Sequence, residues 1–194
     1  MIYLLGDPHG NLKHACQTVL ADMPEVAVML GDIEPSRPLM QDISPLIDAG
    51  VKVFWIRGNH DTDNETNWQN LAGAMHLNID GIVITAGGLR IAGLGGYPDA
   101  TSPTGQQPHF DSYQAYATSL EGKHSFSPHA PRHAGEYDSH NEIRKKKALK
   151  HQASIFWQQY EALWEQKADI LVTHEAPSCN QLGFSAIDEL AESM

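Results

Sequence analysis

Four short clusters in this chain hold residue types that do chemistry together: Gly6-Asp7-Pro8-His9-Gly10, Gly31-Asp32, Gly58-Asn59-His60-Asp61 and Thr173-His174-Glu175-Ala176-Pro177. In the first, Asp7 and His9 stand two apart, so an extended strand end would point both side chains to one face, where a carboxylate and an imidazole can grip one cation. A mixed carboxylate and imidazole set suits Mn, Fe or Zn better than Mg or Ca, which prefer oxygen shells. Alone, Asp-x-His fits a structural role equally well, and Gly-Asp is common turn chemistry. The third cluster is more specific. The amide of Asn59 is a usable ligand, and a histidine held by a neighbouring carboxylate is the usual form of a tuned acid or base.

The elements around the clusters place them together. Ile2 to Leu5 and Val26 to Leu30 are short apolar runs, and Val51 to Ile56 is another, broken only by Lys52; each is closed by one cluster. The first two are followed by helix-spaced apolar sets, Leu12, Cys16, Val19 and Leu20, then Leu39, Ile43, Leu46 and Ile47, the second interrupted by Pro45. A shorter candidate after the third carries Trp68 and Leu71. Three successive strand-loop-helix units imply a parallel sheet with crossover helices, because parallel strands cannot be joined by tight turns. Ligands bind such sheets beyond the carboxyl ends of the strands, so the clusters are expected on one rim.

From His76 the rhythm changes. Leu77 to Thr85 and Leu89 to Leu94 read as antiparallel strands or a hairpin around Gly87-Gly88. Residues Tyr97 to His140 show little periodicity and carry His109, His124, His129, His133 and His140, and a loop of this length is usually a functional lid or a mobile segment. Asn141 to Lys167 returns to helix formers, with Trp157, Tyr160 and Trp164 as a stripe expected to pack in the core. Asp169 to Thr173 is a last strand, and Ala186 to Met194 a short helix.

Composition narrows the class. The 194 residues suffice for one domain with a sizeable core. With 24 Asp and Glu against 13 Lys and Arg, broad attraction to nucleic acid or anionic lipid is disfavoured. The run Arg144 to Lys147 with Lys150 is the one basic concentration, read as a solvated helix face. Cys16 and Cys179 lie too far apart in sequence to suggest a zinc knuckle or a disulfide framework. The start has no basic region and only a short apolar run, and no stretch approaches the roughly 18 apolar residues of a membrane span, so a cytoplasmic protein is expected.

The four clusters, in this order and each closing an apolar strand, resemble those of the calcineurin-like metallophosphoesterases. The resemblance covers most of the chain through Pro177 apart from the middle lid, and Gly58-Asn59-His60-Asp61 is its most specific part. It implies an α/β fold, a four-layer α-β-β-α sandwich of two mixed β-sheets flanked by helices, with a two-metal site on the rim holding Mn, Fe or Zn. Asp7 and His9 would bind the first metal, Asp32 would bridge both, and Asn59 and His174 would bind the second. His60 would be the non-ligand acid, with Asp61 orienting its ring, and Arg57 is a candidate for contacting the phosphate. The reaction implied is hydrolysis of a phosphomonoester or phosphodiester by a metal-bridging hydroxide, on a phosphorylated substrate of unspecified type. The alternatives are a nuclease of the same family and an impaired domain that binds a phosphate ligand.

Two departures from the family pattern stand out. Pro35, with Glu34 beside it, occupies the place where the family often has a further Asp after Gly31-Asp32. No Gly-His-x-His follows His174, so each metal would lack one ligand, and the domain is expected to be C-terminally truncated, its last strands missing.

Overall fold

The computed structural model of the chain describes residues 1–98, 112–121 and 149–194. Strands β1 (Ile2–Leu5), β2 (Val26–Met29) and β3 (Lys52–Trp55) form one sheet in that order, all parallel. Helices α1 (Leu12–Asp22) and α2 (Leu39–Asp48) make the crossovers, and α3 (Glu65–Ala72) follows β3. The second sheet contains β4 (Ile82–Ala86), β5 (Leu89–Leu94) and β6 (Ile170–Thr173), with β4 antiparallel and β6 parallel to β5. Of the two sheets, therefore, only the second is mixed. Helices α4 (Tyr113–Glu121), α5 (Trp157–Trp164) and α6 (Ser185–Ser193) complete the described elements.

The layering follows from side-chain alternation along the strands. On β2, Ala27 and Met29 face a helical core with Leu12, Val19, Leu39, Ile43 and Leu46, while Val26 and Val28 face the other sheet. Between the sheets those two valines meet Ile79, Ile91 and Val172. On the far side, Ala92 and Leu94 of β5 pack with Tyr160, Leu163 and Leu190 of α5 and α6. The order is helix, sheet, sheet, helix, as the resemblance implied.

Two local expectations shift. Met75–Leu77 is a 3-10 turn, so the strand begins later, at Ile82, after Gly81 takes a φ of +73°. Of the aromatic stripe on α5, Tyr160 is buried and donates its hydroxyl to the Ala186 carbonyl at 2.8 Å, whereas Trp164 is 43% exposed. Helix α4 lies within the stretch read as a lid, and that stretch's five histidines and the basic residues 144–147 lie outside the described residues. Among the described residues no helix is long and apolar enough to cross a membrane.

Candidate metal centre

Because β1, β2 and β3 are parallel neighbours, their following loops leave the same edge of the sheet. These loops are stitched backbone to backbone: His9 N–H donates to the Asp32 carbonyl and Gly10 N–H to that of Ile33, both at 2.9 Å. The β2 and β3 loops approach still closer. A β-carbon on Gly58 would stand 2.1 Å from Asp32 N, and one on Gly31, at φ +94°, would stand 2.6 Å from both Gly58 Cα and His174 Nδ1. Only glycine permits that contact, which explains the glycines that open the Asp32 and Asn59 clusters. His174 arrives from β6, in the other sheet.

At this junction acceptor atoms converge. His174, with its side chain 8% exposed, turns Nδ1 to the Leu30 carbonyl at 2.8 Å. A carbonyl only accepts, so Nδ1 carries a proton and Nε2 is the ring nitrogen turned to the other side chains of the cluster. Nε2 stands 2.9 Å from Asn59 Oδ1 and 3.6 Å from Asp32 Oδ1. Three lone pairs aimed at one region are what a cation satisfies. Asp7 is adjacent, its Oδ1 3.8 Å from His174 Nδ1, and one ligand atom each from Asp7, Asp32 and His174 lie within 4.8 Å of one another. Burial holds the Glu175 carboxyl above its usual range, and the negative charges of Asp32 and Asp7 add to that while His174 opposes it. Negative charge gathered around the buried Asp32, with the exposed Asp7 beside it, favours a bound cation. The donor set of carboxylate, imidazole and amide fits Mn, Fe or Zn.

The backbone here is held in an uncommon region. Four of the five non-glycine residues with positive φ among the described residues are Asp7, His9, Asp32 and Glu34, at 42–49°. Such conformations cost about 1–3 kcal/mol each and persist where surroundings over-determine them. This corrects the strand-end picture of Asp7 and His9. β1 ends at Leu5, so the two residues sit at left-handed loop positions and not at an extended strand end. His9 Nε2 lies 3.8 Å from Asp32 Oδ2, and its Nδ1 lies 2.5 Å from Glu34 Oε1. With a carboxylate at Nδ1, Nε2 is the nitrogen turned toward Asp32.

Asp61 has a different task from orienting the His60 ring. It is fully buried: Oδ1 accepts from the N–H groups of Ile33 at 2.7 Å and Glu34 at 3.0 Å, and Oδ2 from Gly58 N–H at 2.7 Å. Asp61 thus pins the β2 loop to the β3 loop. Burial, outweighing those three donors and helped by the charge of Asp32, pushes its carboxyl up to about 6. The ring partner of His60 is Asp63, with Nδ1 to Oδ2 at 2.5 Å, while His60 N–H donates to Asp32 Oδ1 at 2.8 Å. The His60 and His9 rings lie 5.8 Å apart.

Arg57 is likewise reassigned. It is 7% exposed, with Nε 2.5 Å from Asp80 Oδ2, Nη1 donating to the Gln152 carbonyl and Nη2 donating to Gln159 Oε1 at 3.0 Å. All three guanidinium nitrogens are engaged inside the protein, so Arg57 ties the end of β3 to the segment before α5 and is not presented to a phosphate.

Sequence reasoning passed over Glu34 as a ring partner and missed Asp63, Asp80 and Lys150. Lys150 donates to the Asn59 carbonyl at 2.8 Å and lies 2.5 Å from Asp63 Oδ1. The spacing of His60 and Asp63 at i and i+3 across a polar turn was a usable signal, since Asp63 N–H closes that turn onto the His60 carbonyl at 3.0 Å.

Compared with known proteins, residues 1–193 match the family model described as calcineurin-like phosphoesterase. A protein of Haemophilus influenzae, named only "Uncharacterized protein", is 29% identical over 199 aligned residues, spanning 100% of this chain and 78% of that protein.

Proposed function

The chain belongs to the calcineurin-like phosphoesterase family, and on that premise we propose that it is a dinuclear-metal phosphoesterase that hydrolyses a phosphomonoester or phosphodiester. The observation that carries this reading is the convergence of Asp32 Oδ1, Asn59 Oδ1 and His174 Nε2 at the junction of the two sheets. Asp32, Asn59 and His174 would hold one ion, and Asp7, His9 and Asp32 the other. When bound, divalent ions supply Lewis-acid charge that makes water a competent nucleophile at neutral pH and neutralises the attacking and leaving oxygens.

The chain's own residues do the rest. Glu34 keeps the His9 ring turned so that Nε2 faces Asp32. Asp61 holds the loops carrying Asp32 and Asn59 in register through three backbone hydrogen bonds, so the ligand geometry is preset before a substrate arrives. His60, with Nδ1 anchored, uses Nε2 to protonate the ester oxygen as the P–O bond breaks and its electron pair moves to that oxygen. Water contributes the new hydroxyl on phosphorus, and the proton it sheds restores the ring.

The test is hydrolysis of an aryl phosphate monoester and the corresponding diester by purified protein supplied with Mn²⁺, beside Asp32→Asn. Turnover of one ester that disappears in Asp32→Asn is expected. Turnover of neither ester, or turnover retained by the variant, sinks the reading.

A further inference from the structure

His60 is the end of a chain of charged contacts that starts at Lys150. Lys150 Nζ lies 2.5 Å from Asp63 Oδ1, and Asp63 Oδ2 lies 2.5 Å from His60 Nδ1. The same ammonium donates to the Asn59 carbonyl at 2.8 Å and stands 5.7 Å from the centre of the Tyr97 ring. The backbone of Lys150 is fastened to the same turn, because Thr62 Oγ1 donates to its carbonyl at 3.1 Å. Thus a lysine about ninety positions away in sequence is anchored twice to the loop that carries His60.

The contacts add only a little stability. The side chains of Lys150, Asp63 and His60 are 37%, 39% and 46% exposed, and pairs so solvated contribute about 0–1 kcal/mol. Their effect is directional. A carboxylate at Nδ1 needs a proton on that nitrogen, so Nε2 is the nitrogen that exchanges protons with a substrate. The neighbouring carboxylate in sequence, Asp61, is committed to three backbone N–H groups and does not take this part.

We propose that Asp63 and Lys150 are the positioning pair for His60. Asp63 holds the proton on Nδ1 and aims Nε2, while Lys150 locks the Asp63 carboxylate. The inference rests on the phosphoesterase reading for its kinetic consequence but not for its geometry.

Two readouts separate the two. In the first, Asp63→Asn and Lys150→Gln are compared with wild type on an alkyl phosphate, whose alkoxide needs a proton to leave, and on a nitrophenyl phosphate, whose phenolate does not. The expected result is a kcat about 100-fold lower on the alkyl ester and less than about 3-fold lower on the nitrophenyl ester, with KM little changed. Asp63→Glu should recover part of the loss. Equal losses on both esters, or a change in KM alone, overturn the proposal. The second readout is the nitrogen NMR signature of the His60 imidazole in metal-free protein, with melting temperature as the folding control. Wild type should show the proton on Nδ1, and Asp63→Asn a mixture of tautomers. A ring protonated on Nε2, or one indifferent to Asp63→Asn, refutes the positioning role even if wild type hydrolyses neither ester, an outcome that would itself refute only the phosphoesterase reading.

Discussion

Replacing Gly58 with alanine tests whether the close approach of the β2 and β3 loops organises the site. The added carbon would stand 2.1 Å from Asp32 N, 2.2 Å from Asp32 Oδ1 and 2.9 Å from Asp32 Cα. Comfortable contact is about 3.5–4.0 Å, so the loops must part by more than about 1 Å. Two of the three atoms are backbone and cannot swing aside, which puts the cost at the upper end of the about 1–3 kcal/mol typical of overpacking. Separation also strains the hydrogen bond from His60 N–H to Asp32 Oδ1, worth about 1 kcal/mol more. A total of about 3–4 kcal/mol lowers the melting temperature of a domain this size by about 10 °C. The assay is thermal unfolding followed by circular dichroism in metal-free buffer, with Gly73→Ala as control. Gly73 closes α3 at φ −67°, and a carbon there meets nothing within 4 Å, so its substitution should be neutral or stabilising by up to about 1 kcal/mol. If Gly58→Ala melts within about 2 °C of wild type while Gly73→Ala behaves as stated, the reasoning from loop contact is wrong.

Other perturbations follow from the same geometry. Arg57→Met leaves Asp80 buried without its partner and should cost about 3–5 kcal/mol in urea unfolding, part of it regained in Arg57→Met with Asp80→Leu, while KM for a phosphate ester stays unchanged; a selective rise in KM would return Arg57 to the substrate. His174→Ala should weaken Mn²⁺ binding by about 100-fold or more by calorimetry, and an unaltered affinity would remove His174 from the ligand set. Although burial acts against it, the Lys150 ammonium and the His60 ring hold the Asp63 carboxyl below its usual range. Because the unfolded chain then binds more protons than the folded one, this contribution is present above about pH 4 and fades as pH falls below it. Asp63→Asn should therefore flatten the acid side of the stability profile of metal-free protein, and an unchanged acid limb would contradict the contact.

Short-range patterns carried the architecture. The uninterrupted apolar run at Val26 signals a strand covered on both faces, and Val26 and Val28 do face the other sheet while Ala27 and Met29 face helices. Glycine before Asp32 and Asn59 signals close backbone approach, and the loops do touch there. What the sequence hid depends on distant partners. Arg57 looks like a phosphate ligand until Asp80, Gln152 and Gln159, from 23 to 102 positions away, surround it. Asp61 looks like a ring partner because it is adjacent, yet adjacency in a tight turn points neighbouring side chains apart, and the residue that returns to the ring is three positions on. The left-handed backbone at Asp7 and His9 broke the two-residue alternation from which a shared face was inferred. Leu77 read as the start of a strand because an apolar residue at the end of a 3-10 turn has no periodicity of its own.

That His174 belongs to one sheet while Asp7, Asp32 and Asn59 follow strands of the other gives ligation a mechanical meaning. An ion shared between them would be a removable rivet through the sandwich. At a free concentration of 100 times its dissociation constant, such an ion adds about 2.7 kcal/mol to the folded state. Part of that resistance would act across the interface of Val28, Ile91 and Val172, where hydrogen exchange of the β5 and β6 amides would slow on loading. Scarcity of the ion would then loosen the sandwich along the seam where Asp32, Asn59 and His174 meet.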